Sequence, residues 1–330
     1  IKIHADDVNE IQQVRVTKLA DNGEFVLHLN TSEPDGVDDD EDACLLCTVQ
    51  TYAHSDAIPW GSTDSEVKSI IESSMSNVDG VAVTVTFDSI NDVLTYDIEF
   101  NGDGVNGNIP TMWATFNDVD VTITTIQVGN ELSGTFSLGL NNAASYPTAW
   151  PGSSVSGSTD YISWNAVASI GDTTQDALHN SLSVHGDESV QYKMQNALDN
   201  NNDAIYGTVS VSRSSVHADE AGGFTWTVTF HTLEGNVAPL DCDTMQLTQS
   251  SPSAGGISCT VSEQTRGNFA YGQFKLSLNG DMTDNMDWDV SEADMKEEVE
   301  NVFGLGEVTV TRSKIQETPS WSGGYAWIIE

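Results

Sequence analysis

A β-hairpin signature occurs three times along the chain, and it restricts the possible folds more than any other feature. In its clearest form, Thr208–Phe230, the segment Thr-Val-Ser-Val-Ser-Arg is followed by a polar Gly-Gly linker and then Phe-Thr-Trp-Thr-Val-Thr-Phe. Strict alternation puts Val209 and Val211 on one face, and Phe224, Trp226, Val228 and Phe230 on one face of the partner. The first occurrence is Val83, Val85 and Phe87, then Leu94, Tyr96, Ile98 and Phe100. The third is Val308, Val310 and Arg312, then Gly323-Gly324 with Tyr325, Trp327 and Ile329.

Each hairpin is preceded by the same sequence of elements. A strand with apolar residues at alternate positions opens each copy: Phe25, Leu27 and Leu29 in Glu24–Asn30, Phe136, Leu138 and Leu140 in Thr135–Asn141, Phe274, Leu276 and Leu278 in Gln273–Asn279. A short strand ending in Trp follows, as Ile58-Pro59-Trp60, Ile162-Ser163-Trp164 and Met286-Asp287-Trp288. Then comes a helix. Thr63 and Glu66 form a capping box ahead of the stripe Val67, Ile70, Ile71 and Met75. Ser291 and Asp294 precede Met295, Val299, Val302 and Phe303, and Gly304 is the stop. In the middle copy the stripe is Val190, Met194, Ala197 and Leu198, separated from Trp164 by an insertion, with the run Asn200–Asn202 ending it. Further strands are expected in Met112–Thr125, Met245–Leu247 and Gly256–Val261.

A repeat longer than a hundred residues is a whole domain, so the chain reads as an array of domains. Each module reads β-β-α-β-β-β. The expected fold is mainly β, of α+β modules: tandem β-sandwich-like domains, each with one helix packed on the sheet. The expected boundaries are 1–125, with an N-terminal strand segment and an acidic, Cys-containing insertion, then 126–267, then 268–330 with the closing strands missing. An unpaired strand invites edge-to-edge association. Either the chain is one segment of a longer array, or an extended N-terminal segment of one copy completes the last module of the next.

The pattern Gly-x-Phe-x-Leu-x-Leu-Asn, an apolar-x-Trp, a helix, Gly-x-Val-x-Val-x-Arg and Gly-Gly-x-x-Trp-x-Val-Thr-Phe resembles tandem β-rich repeat modules of very large secreted surface and filament proteins of algae, stramenopiles and other protists. The middle copy matches through Gly207, Val209, Val211, Arg213, Gly222, Gly223, Trp226 and Phe230, with Cys259-Thr260-Val261 near its end. The first departs, with Phe87 for the Arg, Tyr96 for the Trp, and no Gly-Gly. The resemblance implies an extracellular role such as a flagellar hair or matrix fibre, and it carries no chemistry with it.

Charge narrows the partners. The chain has 11 Lys and Arg against 50 Asp and Glu, a net charge of −39, and such a surface repels nucleic acid and anionic membranes. No apolar run approaches the roughly 20 residues of a membrane-spanning helix, so membrane insertion is not expected. The start at Ile1, with no basic-then-apolar leader, reads as a processed chain or a piece of a longer one.

Four cysteines allow three pairings. Cys242 and Cys259 flank the expected closing hairpin of the second module, and a bridge there would stabilise by about 3 kcal/mol in the chain-entropy account. Cys44-Leu-Leu-Cys47 suits a small local bridge, since no βαβ context supports a redox motif. Asn30-Thr31-Ser32 is a glycosylation acceptor pattern. The run Asp38-Asp39-Asp40-Glu41-Asp42 offers hard oxygens for calcium through Asp38, Asp40 and Asp42, against the simpler expectation of a solvated loop. Asp199–Asp203 fails as an EF-hand, with Ala204 and Ser210 where Gly and Glu belong. Trp60, Trp164, Trp226, Trp288 and Trp327 are read as recurring at one module position and are expected in the core, whereas Trp113, Trp150 and Trp321 are the candidates for contact with glycan or a neighbouring subunit.

The chain shows no His-x-x-x-His, Glu-x-x-His or Gly-x-Ser-x-Gly arrangement, so it is not expected to be an enzyme, and no cofactor is required. The expected function is a building block of an extracellular filament or surface coat, assembling with copies of itself or neighbouring modules. The alternative is an adhesin that binds glycans.

Overall fold

The computed structural model describes residues 1–32, 44, 46–141, 156–170, 188–214, 221–233, 235–251, 255–267, 270–315 and 324–330. The protein is mainly β, with three helices and several small sheets, and its apolar residues gather into three separate cores, one per repeat. Among the described residues no helix is long and apolar enough to cross a membrane.

Two strands precede the first repeat: β1 (Lys2–His4) and β2 (Ile11–Lys18). The first module then runs through β3 (Glu24–Asn30), β4 (Tyr52–His54), β5 (Ile58–Pro59), α1 (Asp64–Ser74), β6 (Val81–Asp88), β7 (Val93–Phe100), β8 (Trp113–Asn117) and β9 (Val119–Gln127). One sheet joins β4, β5 and β8 to β3, and the other has the order β6-β7-β2-β9, all antiparallel. Phe25, Leu27 and Leu29 from the first sheet meet Val14, Val16, Tyr96, Ile98 and Phe100 from the second, with Val67, Ile71 and Met75 of α1 in the same core. Burying each such side chain is worth roughly 1.5–3 kcal/mol. Helix α1 starts where the capping box predicts: Thr63 accepts from the Glu66 N–H, and the Glu66 carboxylate accepts from the Thr63 N–H.

The second module repeats this plan. It comprises β10 (Leu132–Asn141), β11 (Ser156–Ser158), β12 (Ile162–Ser163), α2 (Val190–Gln195), β13 (Val209–Arg213), β14 (Trp226–Phe230), β15 (Asp241–Gln249) and β16 (Ser258–Thr260). Strand β10 holds β11, β12 and β15. At Gly134, φ is +87°, and an added Cβ would lie 2.2 Å from the Gln246 carbonyl oxygen, so only glycine fits this kinked pairing with β15. Helix α2 is shorter than its apolar stripe suggests. It ends at an Asn196 cap, and Leu198 lies outside it, exposed, in an Asx-type turn where Asp199 accepts from the Asn201 and Asp203 N–H groups.

The N-terminal segment, expected with the first module, divides between two. Strand β2 is central in the first module's sheet, but Ile1–Ala5 packs in the second. The Ile1 nitrogen and carbonyl bond to the Trp226 carbonyl and N–H at 2.8 Å, and the Ile3 N–H donates to Phe224 at 3.0 Å. On its other side β1 pairs with β16, so the second module's backbone order is β13-β14-β1-β16. The physical reason is burial: Ile3 and Ala5 are wholly enclosed there.

The third module has β17 (Gln273–Phe274), β18 (Ser277–Leu278), β19 (Asp281–Met282), β20 (Met286–Asp287), α3 (Glu292–Phe303), β21 (Val310–Lys314) and β22 (Tyr325–Ile329). Asn279 and Gly280, both at positive φ, make the tight turn between β18 and β19. The corresponding positions of the other modules, after Asn30 and Asn141, carry long insertions. Gly304 caps α3 at φ 59°, as its place in the sequence predicts.

Candidate functional site

The repeated residues build one joint in every module. The Trp after the short strand donates its backbone N–H to a glycine carbonyl: Trp60 to Gly23, Trp164 to Gly134, Trp288 to Gly272. That glycine is the Gly of Gly-x-Phe, so the two motifs are halves of one contact. A residue with a buried hydroxyl, three positions before the short strand, then clamps the first strand: its backbone N–H donates to a strand carbonyl and its hydroxyl accepts from the N–H of the same strand residue. Ser55 does so on Leu27, Thr159 on Leu138 and Thr283 on Leu276. The sequence pattern missed this residue, because an isolated Ser or Thr carries no periodic signal.

The hairpin aromatics explain the divergent copy. Trp226 Nε1 donates to the Ala166 carbonyl at 3.1 Å, Trp327 Nε1 to Val290 at 3.2 Å, and the Tyr96 hydroxyl to Ser62 at 2.7 Å. These carbonyls hold one position in the turn after the short strand, so Tyr in the first module supplies the donor that Trp supplies elsewhere. Burial pushes the Tyr96 hydroxyl up to about 12, so it stays a donor. Arg213 donates to Asn165 and Ala166, and Arg312 to Asp289 and Val290, in the same turn. The register opposes Tyr96 with Val85, as it opposes Trp226 with Arg213, so Val85 holds the Arg position and not Phe87 as expected; Phe87 lies further along the strand, its ring packed edge-on against Trp60 at 6.1 Å. The recurring Trp residues thus occupy two positions, one in the turn and one in the hairpin, where a single position was expected.

Both expected bridges are formed, Cys44–Cys47 and Cys242–Cys259, and they point to an oxidising environment. The second does not close a hairpin. Cys242 lies on β15, which pairs with β10, and Cys259 on β16, which pairs with β1, so the bridge ties one sheet to the other. Asn30, at the end of β3, is half-buried and its Oδ1 accepts from the Ser32 N–H. Asp38, Asp40 and Asp42, and also Trp150 and Trp321, lie outside the described residues. Among the described residues no group of three or more His, Cys, Asp or Glu is placed to hold a metal ion.

Two surfaces stand out as candidate sites. The first is an aromatic cluster on the outward face of β3, β4 and β8. His28 pairs across strands with both His54 and Trp113, and its ring lies 5.4 Å from Trp113 and 6.0 Å from Tyr52, within 14° of parallel. Tyr52 and Trp113 are each about half exposed, at 49% and 46%. His28 Nδ1 meets the Tyr52 hydroxyl at 2.7 Å, and Nε2 meets Thr115 Oγ1 at 2.9 Å. Desolvation, then the neighbouring His54, lowers the His28 pKa and keeps the ring neutral. Sequence reasoning marked Trp113 alone, because its companions come from strands far apart in the chain.

The second surface is the outer edge of β22. In the first two modules the corresponding strand, β7 or β14, bonds to β2 or β1. Among the described residues no strand pairs there in the third. No protein-family model matches the chain, and no curated protein is similar enough to count as a relative.

Proposed function

We propose that this chain is a structural building block of an extracellular filament or cell-surface coat, joined end to end through its β-rich modules. The observation that carries the reading is that the first two modules share backbone. Strand β9 closes the first module and leads directly into β10, the Asn130 N–H donates to Val8 at 2.9 Å, and β1 completes the module beyond. Modules linked in this way transmit tension through antiparallel ladders, and the Cys242–Cys259 bridge ties together the two sheets of the second module. The net charge of −39 and the disulfides suit an exposed, oxidising location. Sedimentation and electron microscopy of the full chain at rising concentration test it. Linear species are expected, and monodisperse folded monomers at the highest concentration would overturn the self-assembling form.

A second reading, glycan binding, is favoured by the His28, Tyr52 and Trp113 cluster. Sugar C–H groups stack on flat aromatic faces, and the polar edges of these rings can orient hydroxyls. A glycan array probed with the chain is expected to give hits that Trp113→Ala abolishes. An array without hits removes this reading.

A further inference from the structure

The third hairpin matches the second bond for bond. Trp226 pairs with Arg213 and Trp327 with Arg312, and both Trp and both Arg bond to the same turn carbonyls. In the second hairpin, Trp226 turns its backbone N–H and carbonyl away from β13 to meet Ile1. In the third, Thr309 and Glu330 exchange both of their bonds at 2.9 Å. By the alternation of an antiparallel ladder, Trp327 and Ile329 therefore direct their N–H and carbonyl groups outward.

The side chains differ between the two modules in the same way. Trp226 is wholly buried and Trp327 is not; Phe136 is wholly buried and Phe274 is not; Ile329 is 39% exposed. The strands that fill the two equivalent slots share a chemistry. Strand β1 (Lys-Ile-His) and strand β2 (Ile-Gln-Gln-Val-Arg-Val-Thr-Lys) contain no Asp or Glu, although the chain has 50. They carry Lys2, Arg15 and Lys18, and they bury Ile3, Val14 and Val16. Among the described residues no strand lies on the outer edge of β22, whereas the opposite edge of the hairpin is occupied by α3, where the Glu292 carboxylate accepts from the outward Arg312 N–H of β21.

We propose that the outer edge of β22 is an acceptor site for an extended strand of a neighbouring polypeptide, antiparallel to β22, free of acidic residues and aliphatic at alternate positions. The proposal rests on the end-to-end reading above and names its joint. The strand completes the third sheet as β1 and β2 complete the other two, through main-chain bonds to Trp327 and Ile329 and apolar cover for Trp327.

The test uses the full chain and a labelled peptide of the β2 sequence, acetyl-IQQVRVTK-amide, with a scrambled peptide as control. Fluorescence anisotropy reads binding, and amide hydrogen exchange reads its place. The expected result is saturable binding of the β2 peptide and not of the scramble, with the Trp327 and Ile329 amides becoming protected. Ile329→Pro removes one outward donor and leaves the β21 ladder its inward partners; it is expected to weaken binding about tenfold or more. The exchange measurement on the unaltered chain stands even where that variant folds poorly. Absence of saturable binding, or protection elsewhere than on β22, overturns the proposal. A concentration-dependent dimer in which the Trp327 amide gains protection as the Trp226 amide loses it also bears the proposal out, with β1 of a second copy as the donated strand. Linear assembly without peptide binding overturns the acceptor site and leaves the building-block reading standing. Peptide binding without assembly does the reverse.

Discussion

Glu10 is one of 50 acidic residues, and nothing in its local sequence separates it from the solvated majority. In the fold it is enclosed, 1% exposed, where the first module meets the second. Its carboxylate accepts from Gln12 Nε2 at 2.6 Å and from the N–H groups of Ile109 and Gly129. Burial raises its pKa, with the hydrogen bonds, Gln12 first, pulling the other way. A carboxyl raised on folding binds its proton more tightly in the native state. Its contribution to stability is present in full below the ordinary carboxylate pKa, and is lost as pH rises through that value to the raised one. The melting temperature of the native chain should therefore fall relative to Glu10→Gln as pH rises from about 4 towards neutrality. Parallel melting curves for the two proteins across that range would show that Glu10 does not titrate between its folded and unfolded values.

The elements that formed as expected are those whose signal is local. The Thr63 and Glu66 box, the Gly304 stop and the alternating strands depend on neighbours within a turn or two. Helix α2 is the exception, because Leu198 continued an apolar period that the Asn196 cap and the Asp199 turn cut short. Strands β15 and β16 are the other. They are adjacent in sequence and were read as a hairpin, but each pairs with a distant partner in a different sheet. The Cys242–Cys259 bridge accordingly spans the sandwich. Its sequence separation is 17, against 3 for Cys44–Cys47. In the chain-entropy account the first contributes about 3 kcal/mol and the second about 2. Replacing Cys242 and Cys259 by Ser should lower the denaturation midpoint of the second module more than replacing Cys44 and Cys47 lowers that of the first. Equal losses in urea titrations followed by exchange would mean that loop closure is not what these bridges supply.

Across the whole molecule, the modules are not cut where the sequence repeats. Residues 1–5 belong to the second core, although the first module lies between them and it in sequence. Deleting Ile1–Ala5 should expose the Phe224 and Trp226 backbone edge, raising amide exchange there and shifting Trp226 fluorescence to the red. The Tyr96 ladder with β2 should keep its protection. A deletion that loosens the first module and spares the second would refute the assignment. The same logic makes the outer edge of β22 stand out, since it is visible only against two filled examples.

The sequence alone determined the repeat, the β-rich α+β plan of each module, the helix caps and most of the residues facing each core, with Phe87, Leu198, Leu278 and Ile329 exposed instead. All of these follow from periodicity and short-range hydrogen bonding, which a linear string records. It also marked Arg213, Trp226 and the glycines of Gly-x-Phe, without showing that they meet at one turn. Tertiary structure alone decided which strand fills which slot, which sheets the disulfide joins, and that His28, Tyr52, His54 and Trp113 share a face. Antiparallel ladders are closed by main-chain groups that every residue carries, so the choice of partner leaves no mark in the string. It is settled by which pairing encloses the most apolar surface, as Ile3 shows by crossing to the second core.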